Sequence, residues 1–203
     1  VVADFSAFGG GSSVSASNSS DTWTATYTLV AGSVDGTSLN VGITATDSSS
    51  NNDSATSTTN ATVDNVAPTV TDGNISISGA SGTGGAFKVG DTITATWDNT
   101  AGGDNNSDTI STVTANFSAF GGGSAVSASN SSGTWTATYT ITEDGGGSID
   151  GSNLNVSVTA TDNAGNATTT SDSTNATLDN NSPVVTDGNI SISGASGTGG
   201  AYK

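Results

Sequence analysis

The sequence contains no cysteine and no histidine, and two important kinds of chemistry are excluded with them. Without cysteine the chain can form no disulfide, no thiolate nucleophile and no cysteine-ligated zinc site. Without histidine it lacks an imidazole base and a histidine-ligated metal. Serine and threonine are abundant, but neither residue has the usual base to activate it. We therefore expect no catalytic residues and no enzyme.

Positive charge is nearly absent as well. Two lysine or arginine residues against eighteen acidic ones give a formal net charge of −16. A chain this acidic repels nucleic acids and anionic lipids, because both bind through neutralising cations, and it attracts divalent cations instead. No apolar run approaches the roughly 20 residues that a membrane-spanning helix needs. We expect no nucleic-acid partner and no membrane insertion by this segment.

A long internal repeat dominates what the sequence does contain. The phrase DNVAPTVTDGNISISGASGTGGAFK (64–88) returns as DNNSPVVTDGNISISGASGTGGAYK (179–203), an offset of 115 residues. The phrase FSAFGGGS begins at Phe5 and again at Phe117, an offset of 112 residues. The three extra residues fall where TLVAGS becomes TITEDGGGS, and such an insertion marks a surface loop. A period of about 112–115 residues is too long for a solenoid turn and suits an independent domain.

The segment that contains Pro68 or Pro183 is interpreted as the boundary between copies. Residues 1–64 are then the C-terminal part of one domain, 65–179 form a complete domain, and 180–203 begin the next one. This phase predicts that the chain is a window from a longer tandem array.

Apolar and hydroxyl-bearing residues alternate along several segments. In TWTATYTI, Trp135, Ala137, Tyr139 and Ile141 fall on one face and the threonines on the other. This period of two, with Gly, Asn, Asp and Ser between the segments, is typical of strands and argues against disorder. No segment shows a convincing helical period. In the complete copy the pattern predicts about seven strands, near 69–77, 86–89 with 92–97, 110–117, 125–128, 134–141, 154–161 and 175–178.

About seven short antiparallel strands in roughly 110 residues fit an all-β, immunoglobulin-like β-sandwich. In this arrangement each sheet contributes one tryptophan, Trp97 or Trp135, to a core shared with Phe117 and Tyr139. Such a core is modest for a domain of this size. Trp135, the equivalent of Trp23 in the preceding copy, is predicted to be buried between the sheets.

Several phrases resemble a known family. VDNVAP at the boundary, VGDTITATW in a strand and VTATDNAGN after a later one are similar to bacterial immunoglobulin-like repeats of giant RTX and biofilm-associated surface adhesins. The phrase TDGNISISGASGTGGAFKVGDTITATWDNTAGGDNN resembles extender repeats of large ice-adhesion and biofilm proteins of marine bacteria. The resemblance covers the whole chain. It implies extracellular stalk modules that bind calcium and project a terminal binding domain, although the chain shows neither a GGxGxDxUx array nor a distinct ligand-binding domain.

The sequence thus favours a structural protein: a calcium-stiffened extender of a long bacterial adhesin, whose partners are neighbouring repeats of the same chain. A second hypothesis is a self-assembling filament or surface-layer subunit that exchanges edge strands with other copies, because both outer copies are incomplete. A carbohydrate-binding module would need a row of exposed aromatic residues. The three tryptophans fall on core-facing positions instead, which disfavours this third hypothesis.

Two recurring motifs have simpler interpretations than a binding site. The glycine-rich FGGGS, at Phe8 and at Phe120, lacks the following helix and the lysine of a phosphate-binding loop, so it is assigned to a flexible loop between strands. The threonines of segment 134–140 could order water as an ice-binding surface does. Threonine is also a good exposed strand residue, and the same ladder at 22–28 favours a role in the fold.

The acidic residues are concentrated where the ends of such domains would meet. In an immunoglobulin-like sandwich the loops after the second and sixth strands lie at the end where the chain enters, and two further turns lie at the opposite end. Calcium takes about six to eight oxygen ligands and needs neither histidine nor cysteine. Domains stacked end to end would therefore form a calcium site at each boundary.

The predicted ligands divide between the two boundaries. At the first they are Asp35, Asp64, Asn65, Asp98, Asp104, Asp108 and Asp162. At the second they are Asp91, Asp150, Asp179 and Asn180, with Asp144 at the same end of the domain. Asp72 and Asp187, in TDGN, are assigned either to calcium or to a turn. The alternative that all of these are solvated loop charges stays open.

Overall fold

The computed structural model of the chain describes residues 1–32, 34–142 and 150–202. Strands make up 40% of the structure, and no α-helix occurs in the described ranges, which confirms the all-β class. Accordingly, no helix there is long and apolar enough to cross a membrane. Asp144 lies outside the described residues.

The described part of residues 1–64 forms short antiparallel strands. They are β1 (Val2–Asp4), β2 (Val14–Ser15), β3 (Ser17–Ser19), β4 (Thr22–Thr24), β5 (Gly36–Leu39), β6 (Gly42–Thr46), β7 (Asn52–Thr56) and β8 (Ala61–Val63). Four of them form one sheet in the order β2-β1-β6-β7, and the others pair as β3-β4 and β5-β8.

The complete copy repeats this pattern and adds two strands at its start. Its strands are β9 (Ile75–Ser78), β10 (Thr92–Asp98), β11 (Ile110–Asn116), β12 (Val126–Ser127), β13 (Ser129–Ser131), β14 (Thr134–Thr140), β15 (Gly151–Leu154), β16 (Ser157–Asp162), β17 (Ala167–Ser171) and β18 (Ala176–Leu178). Short 3-10 turns interrupt the chain at Ser6–Phe8, Asp72–Asn74, Thr83–Gly85, Ser118–Phe120, Asp187–Asn189 and Thr198–Gly200.

Two four-stranded antiparallel sheets form the complete copy. One has the order β13-β14-β10-β9 and the other β12-β11-β16-β17, while β15 pairs with β18 beside them. A parallel bridge between Phe87 and Leu178 connects the segment before β10 with the last strand. The predicted strand at 86–89 is therefore wrong, because only this single bridge forms there.

Other predicted strand limits also need correction. The predicted strand 154–161 is two strands, because the chain leaves the β15–β18 ladder before it joins β11 in the second sheet. Residues 69–74 are not a strand, since the chain there forms the 3-10 turn Asp72–Asn74 before β9. Strand β17 was missed because it is an edge strand of sequence ATTTS, which has no alternating apolar residues.

The core of the complete copy draws on both sheets. One buried cluster contains Ile93 of β10 and Ile141, which directly follows β14, both from the first sheet. It also contains Ala115 of β11 and Phe117, which directly follows β11, from the second sheet. A second cluster contains both tryptophans of this copy together with Val70, Ile75, Val113, Val158 and Ala160. The hydrophobic faces of the two sheets thus pack against each other.

The expectation of one tryptophan from each sheet is wrong. Trp97 and Trp135 lie directly opposite each other on the neighbouring strands β10 and β14, so they belong to one sheet and point to the same face. Trp97 is 1% exposed and Trp135 8% exposed, which confirms that Trp135 is buried. Trp23 is 50% exposed, because residues 1–64 contain no counterparts of β9 and β10.

Candidate junctions between repeats

The connector between the first two copies is four residues long. Strand β8 ends at the buried Val63, and Pro68 is the next buried residue of the chain. Between them, Asn65 Nδ2 donates a hydrogen bond to the Val34 carbonyl of the first copy at 2.7 Å. Asn166 Nδ2 of the complete copy donates to the Asp64 carbonyl at 3.1 Å. The connector is therefore hydrogen-bonded to the copies on both sides of it.

Asn166 is held in place by the carboxylate of Asp162. Oδ1 of Asp162 accepts hydrogen bonds from the backbone N–H groups of Ala164, Gly165 and Asn166 at 2.8, 2.7 and 2.9 Å. Its Oδ2 accepts from Asn166 Nδ2 at 2.9 Å. The Asn166 amide nitrogen is also 3.3 Å from Asp64 Oδ1, so it links the two carboxylates.

Asp162 is 1% exposed, yet its environment favours the charged form. Burial alone would raise the pKa of its carboxyl group, but the hydrogen bonds from Asn166, Ala164 and Gly165 outweigh this effect and lower the pKa. The same arrangement recurs in the first copy, where Asp47 accepts bonds from the side chain and backbone of Asn51, and these bonds lower its pKa. A local D-x-x-x-N sequence therefore builds this loop in each copy.

Asp104 ties the incoming chain to the core. Its carboxylate accepts hydrogen bonds from Thr71 N at 2.9 Å and Thr71 Oγ1 at 2.6 Å. It also accepts from Asn74 Nδ2 at 2.7 Å and from the indole Nε1 of Trp97 at 2.7 Å. Burial would raise the pKa of Asp104, but these donors, Thr71 first among them, lower it overall.

The neighbouring residues of the same loop play smaller parts. Asp98 Oδ1 accepts a bond from Thr100 N at 2.8 Å, and hydrogen bonding to Thr100 lowers the Asp98 pKa although the nearby Asp104 charge opposes the shift. Asp108 accepts no side-chain hydrogen bond within the described part of the chain. Asn106, which sequence reasoning missed, pairs with Thr69 through two bonds of 2.6 and 2.8 Å. The only sequence signal was its position in the loop that carries Asp104.

The second junction has its own hydrogen-bond network. Asp150 accepts bonds from Asn180 N at 3.2 Å and from Asn181 Nδ2 at 2.5 Å. Asn181 N donates to Asp179 Oδ1 at 3.0 Å, and Asn180 Oδ1 accepts from Val89 N at 2.6 Å. Asn181 therefore connects the two carboxylates here, as Asn166 does at the first junction, and sequence reasoning missed both amides.

Asp91 belongs to a different contact within the complete copy. Its buried carboxylate accepts bonds from Ser81 N at 3.0 Å, Ser81 Oγ at 2.5 Å and Lys88 N at 3.1 Å. The side-chain bond from Ser81 is the largest cause of its lowered pKa, and the Lys88 charge contributes to it. Asp91 thus closes the turn between β9 and β10.

The structure brings the predicted ligands together in small groups. Asp64 meets Asp162 through Asn166, Asp98 lies near Asp104, and the second junction collects Asp150, Asp179 and Asn180. Asp35 follows Val34, the residue that Asn65 contacts. Across the described ranges, no group of three or more His, Cys, Asp or Glu side chains is arranged to hold a metal ion. Calcium binding stays a prediction.

Hydrogen bonding distinguishes which carboxylates have oxygen left for a cation. A carboxylate offers about four lone-pair directions. Asp104 and Asp162 each accept four hydrogen bonds, so they act as loop anchors. Asp150 accepts two hydrogen bonds, and Asp179 accepts one on its side chain. Asp150 and Asp179 are therefore better suited to bind a metal ion than Asp104 and Asp162, whose lone pairs are all used.

Comparison with known proteins adds no assignment. No protein family matches the chain, and neither the curated proteins nor the solved structures contain a match. The function is therefore inferred from the repeats, the connector and the junction contacts described above.

Proposed function

We propose that the chain consists of tandem immunoglobulin-like domains that act as extender modules of a long extracellular bacterial adhesin. The sheet orders support the domain type. If β9, β10, β11, β12, β13, β14, β16 and β17 are strands A, B, C, C′, D, E, F and G, the sheets read A-B-E-D and G-F-C-C′. This is the strand distribution of the immunoglobulin fold.

The short connector bonded on both sides carries the proposal. A flexible linker lets neighbouring domains reorient, whereas four residues that contact both domains restrict their relative rotation. Asn65 fixes the connector to the first copy, and Asn166 fixes it to the complete copy. Repeating such a junction along a chain yields a stiff rod, which is the property that an extender needs.

Calcium at the junctions is the second part of the proposal. The carboxylates with oxygen lone pairs to spare include Asp64 at the first junction and Asp150 and Asp179 at the second. Chain carbonyls, amide oxygens and water would complete the coordination that calcium requires. In a chain of net charge −16, a divalent cation would also relieve the repulsion between neighbouring carboxylates.

Small-angle X-ray scattering on arrays of two, four and six copies of the 115-residue repeat tests the extender. We expect the maximum dimension to grow linearly with copy number, and calcium to increase it relative to a chelator. Replacing Asn166 by alanine in every copy should shorten the particle because one side of each connector is released. Asn163→Ala in the same loop is the matched control.

Three outcomes would contradict parts of this proposal. A compact or random-coil profile at every length excludes the extender. Thick, laterally ordered fibres in electron microscopy would favour the alternative filament or surface-layer subunit. If millimolar calcium neither changes the scattering nor produces a heat of binding, calcium at the junctions is excluded, but the stiff extender is not.

A further inference from the structure

A buried carboxylate in the complete copy lacks a partner for one of its oxygens. Asp172, between β17 and β18, is 3% exposed. Its Oδ1 accepts a hydrogen bond from Thr174 Oγ1 at 2.7 Å, whereas Oδ2 is buried with no hydrogen-bond partner in the described structure. A charged oxygen in this state is strongly destabilising unless an ion or a donor reaches it.

A second carboxylate lies next to this position. Asp72 accepts hydrogen bonds from Ser173 N at 2.8 Å and from Ser173 Oγ at 2.6 Å. Ser173 directly follows Asp172 in the chain, so Asp72 contacts the residue next to the buried carboxylate. Lys88 is the sole basic side chain among the described residues, and its charge acts on Asp91. No lysine or arginine of that part of the chain therefore compensates this pair.

We propose that Asp172, with Asp72 beside it, binds a small hard cation such as calcium, magnesium or sodium. A water molecule could donate to Oδ2, but it would not offset the negative charge of the buried carboxylate. Hard cations accept carboxylate, hydroxyl, carbonyl and water oxygens, so two carboxylates suffice where neutral oxygens complete the shell. The site lies within one domain and does not depend on the junction proposal.

The position of this site suggests what the cation does. Asp72 lies in the turn that enters edge strand β9 of one sheet, and Asp172 follows edge strand β17 of the other. A cation held by both would fasten the first and last parts of the domain to each other.

The first copy supplies a natural control. Ser57 occupies the position equivalent to Asp172, at an offset of 115 residues. Ser57 N donates to the Val41 carbonyl at 2.8 Å, as Asp172 N donates to the Val156 carbonyl at 2.8 Å. Serine therefore suits the same backbone, and Asp172→Ser removes the carboxylate without imposing a new conformation.

Equilibrium dialysis of the full chain against CaCl2, and separately against MgCl2 and NaCl, counts the bound ions. We expect Asp172→Ser to bind one ion fewer per chain than the wild type, for at least one of the three cations. The control Asp53→Ser removes an equal charge from the exposed edge strand β7 and should bind as the wild type does. Equal counts for Asp172→Ser and the wild type with all three cations would overturn the proposal.

Thermal unfolding gives a second readout whose sign depends on the cation. With a chelator and low salt, Asp172→Ser should melt at the wild-type temperature or above it, because the unpaired buried charge is gone. With the bound cation, the wild type should melt higher. If the wild type is more stable than Asp172→Ser by the same margin with the cation and without it, Asp172 has a purely structural role and the proposal is overturned.

Nuclear magnetic resonance of the wild type decides the question if the variant fails to fold. The carboxyl carbon of Asp172 should shift during titration with the cation that dialysis identifies as bound. An Asp172 signal that stays fixed up to saturation would overturn the proposal. Movement of the Asp64 or Asp150 signals alone would assign the ion to the junctions and would also overturn it.

Discussion

Removal of the Asp104 carboxylate should destabilise the complete copy more than removal of any other loop charge. Asp104→Ala leaves the indole N–H of Trp97 without an acceptor at a site that is 1% exposed. Such an orphaned buried donor costs about 1–3 kcal/mol. The donors on Thr71 and Asn74 can turn to water, so each of them adds only about 0.5–1 kcal/mol.

The expected loss of unfolding free energy is therefore about 3–4 kcal/mol, since contributions within one network do not add fully. For a domain of this size the loss corresponds to a fall in Tm of roughly 10–20 °C. Urea unfolding followed by tryptophan fluorescence measures it. A Trp23→Phe background confines the signal to Trp97 and Trp135 of the complete copy.

Two further variants make this prediction specific. Asp108→Ala removes a charge from the same loop, and we expect a change within about 0.5 kcal/mol because no side-chain bond is lost. Trp97→Phe removes the indole donor, so the double variant with Asp104→Ala should lose less than the two single losses together. A loss below about 1 kcal/mol for Asp104→Ala, or full additivity in the double variant, would refute the role assigned to Asp104.

Three other perturbations have expected outcomes that calorimetry can check. Trp135→Ala should cost about 3–5 kcal/mol, whereas Trp23→Ala should cost less than about 1 kcal/mol because this side chain is 50% exposed; equal costs would contradict the burial described here. Because the pKa of Asp162 is lowered in the folded state, this carboxylate stabilises the protein above about pH 4, and the stabilisation is lost as the pH falls through the folded-state pKa. The variant Asp162→Asn should therefore show a smaller decrease of Tm in acid than the wild type. Gly79→Ala should destabilise the protein by about 1–3 kcal/mol, because φ of Gly79 is +111° and an added Cβ would clash with the Thr92 carbonyl oxygen. The control Gly73→Ala should leave the stability unchanged, because no atom lies near the position of its Cβ.

The two copies show which structural features the local sequence determines. The segment SAF forms a 3-10 turn in both, followed by a glycine in the left-handed region, Gly9 or Gly121. A tyrosine hydroxyl closes each loop by donating to that glycine's carbonyl, from Tyr27 at 3.0 Å and from Tyr139 at 3.1 Å. These loops form alike although the surroundings differ, since their contacts come from neighbouring segments of the same copy.

Burial behaves differently between the copies. Trp23 and Trp135 occupy equivalent positions in nearly identical sequences, yet one is half exposed and the other is buried. The difference arises because only the complete copy contains β9 and β10, which supply Ile75 and Trp97 as neighbours. The alternating pattern predicted which face turns inward, but the degree of burial depends on strands that lie far away in the chain.

The sequence by itself determined the all-β class, the repeat length and the residues that face the core, because a period of two and a repeated phrase are local properties. It also placed several of the predicted calcium ligands, such as Asp104 and Asp150, in loops. The pairing partners were decided only by the tertiary structure, which put both tryptophans on one sheet and made ATTTS an edge strand of the other sheet. It also decided that Asp104 and Asp162 are saturated by hydrogen-bond donors, whereas Asp172 keeps one oxygen unpaired. A carboxylate's role depends on which donors reach it, and several of those donors come from segments remote in the sequence.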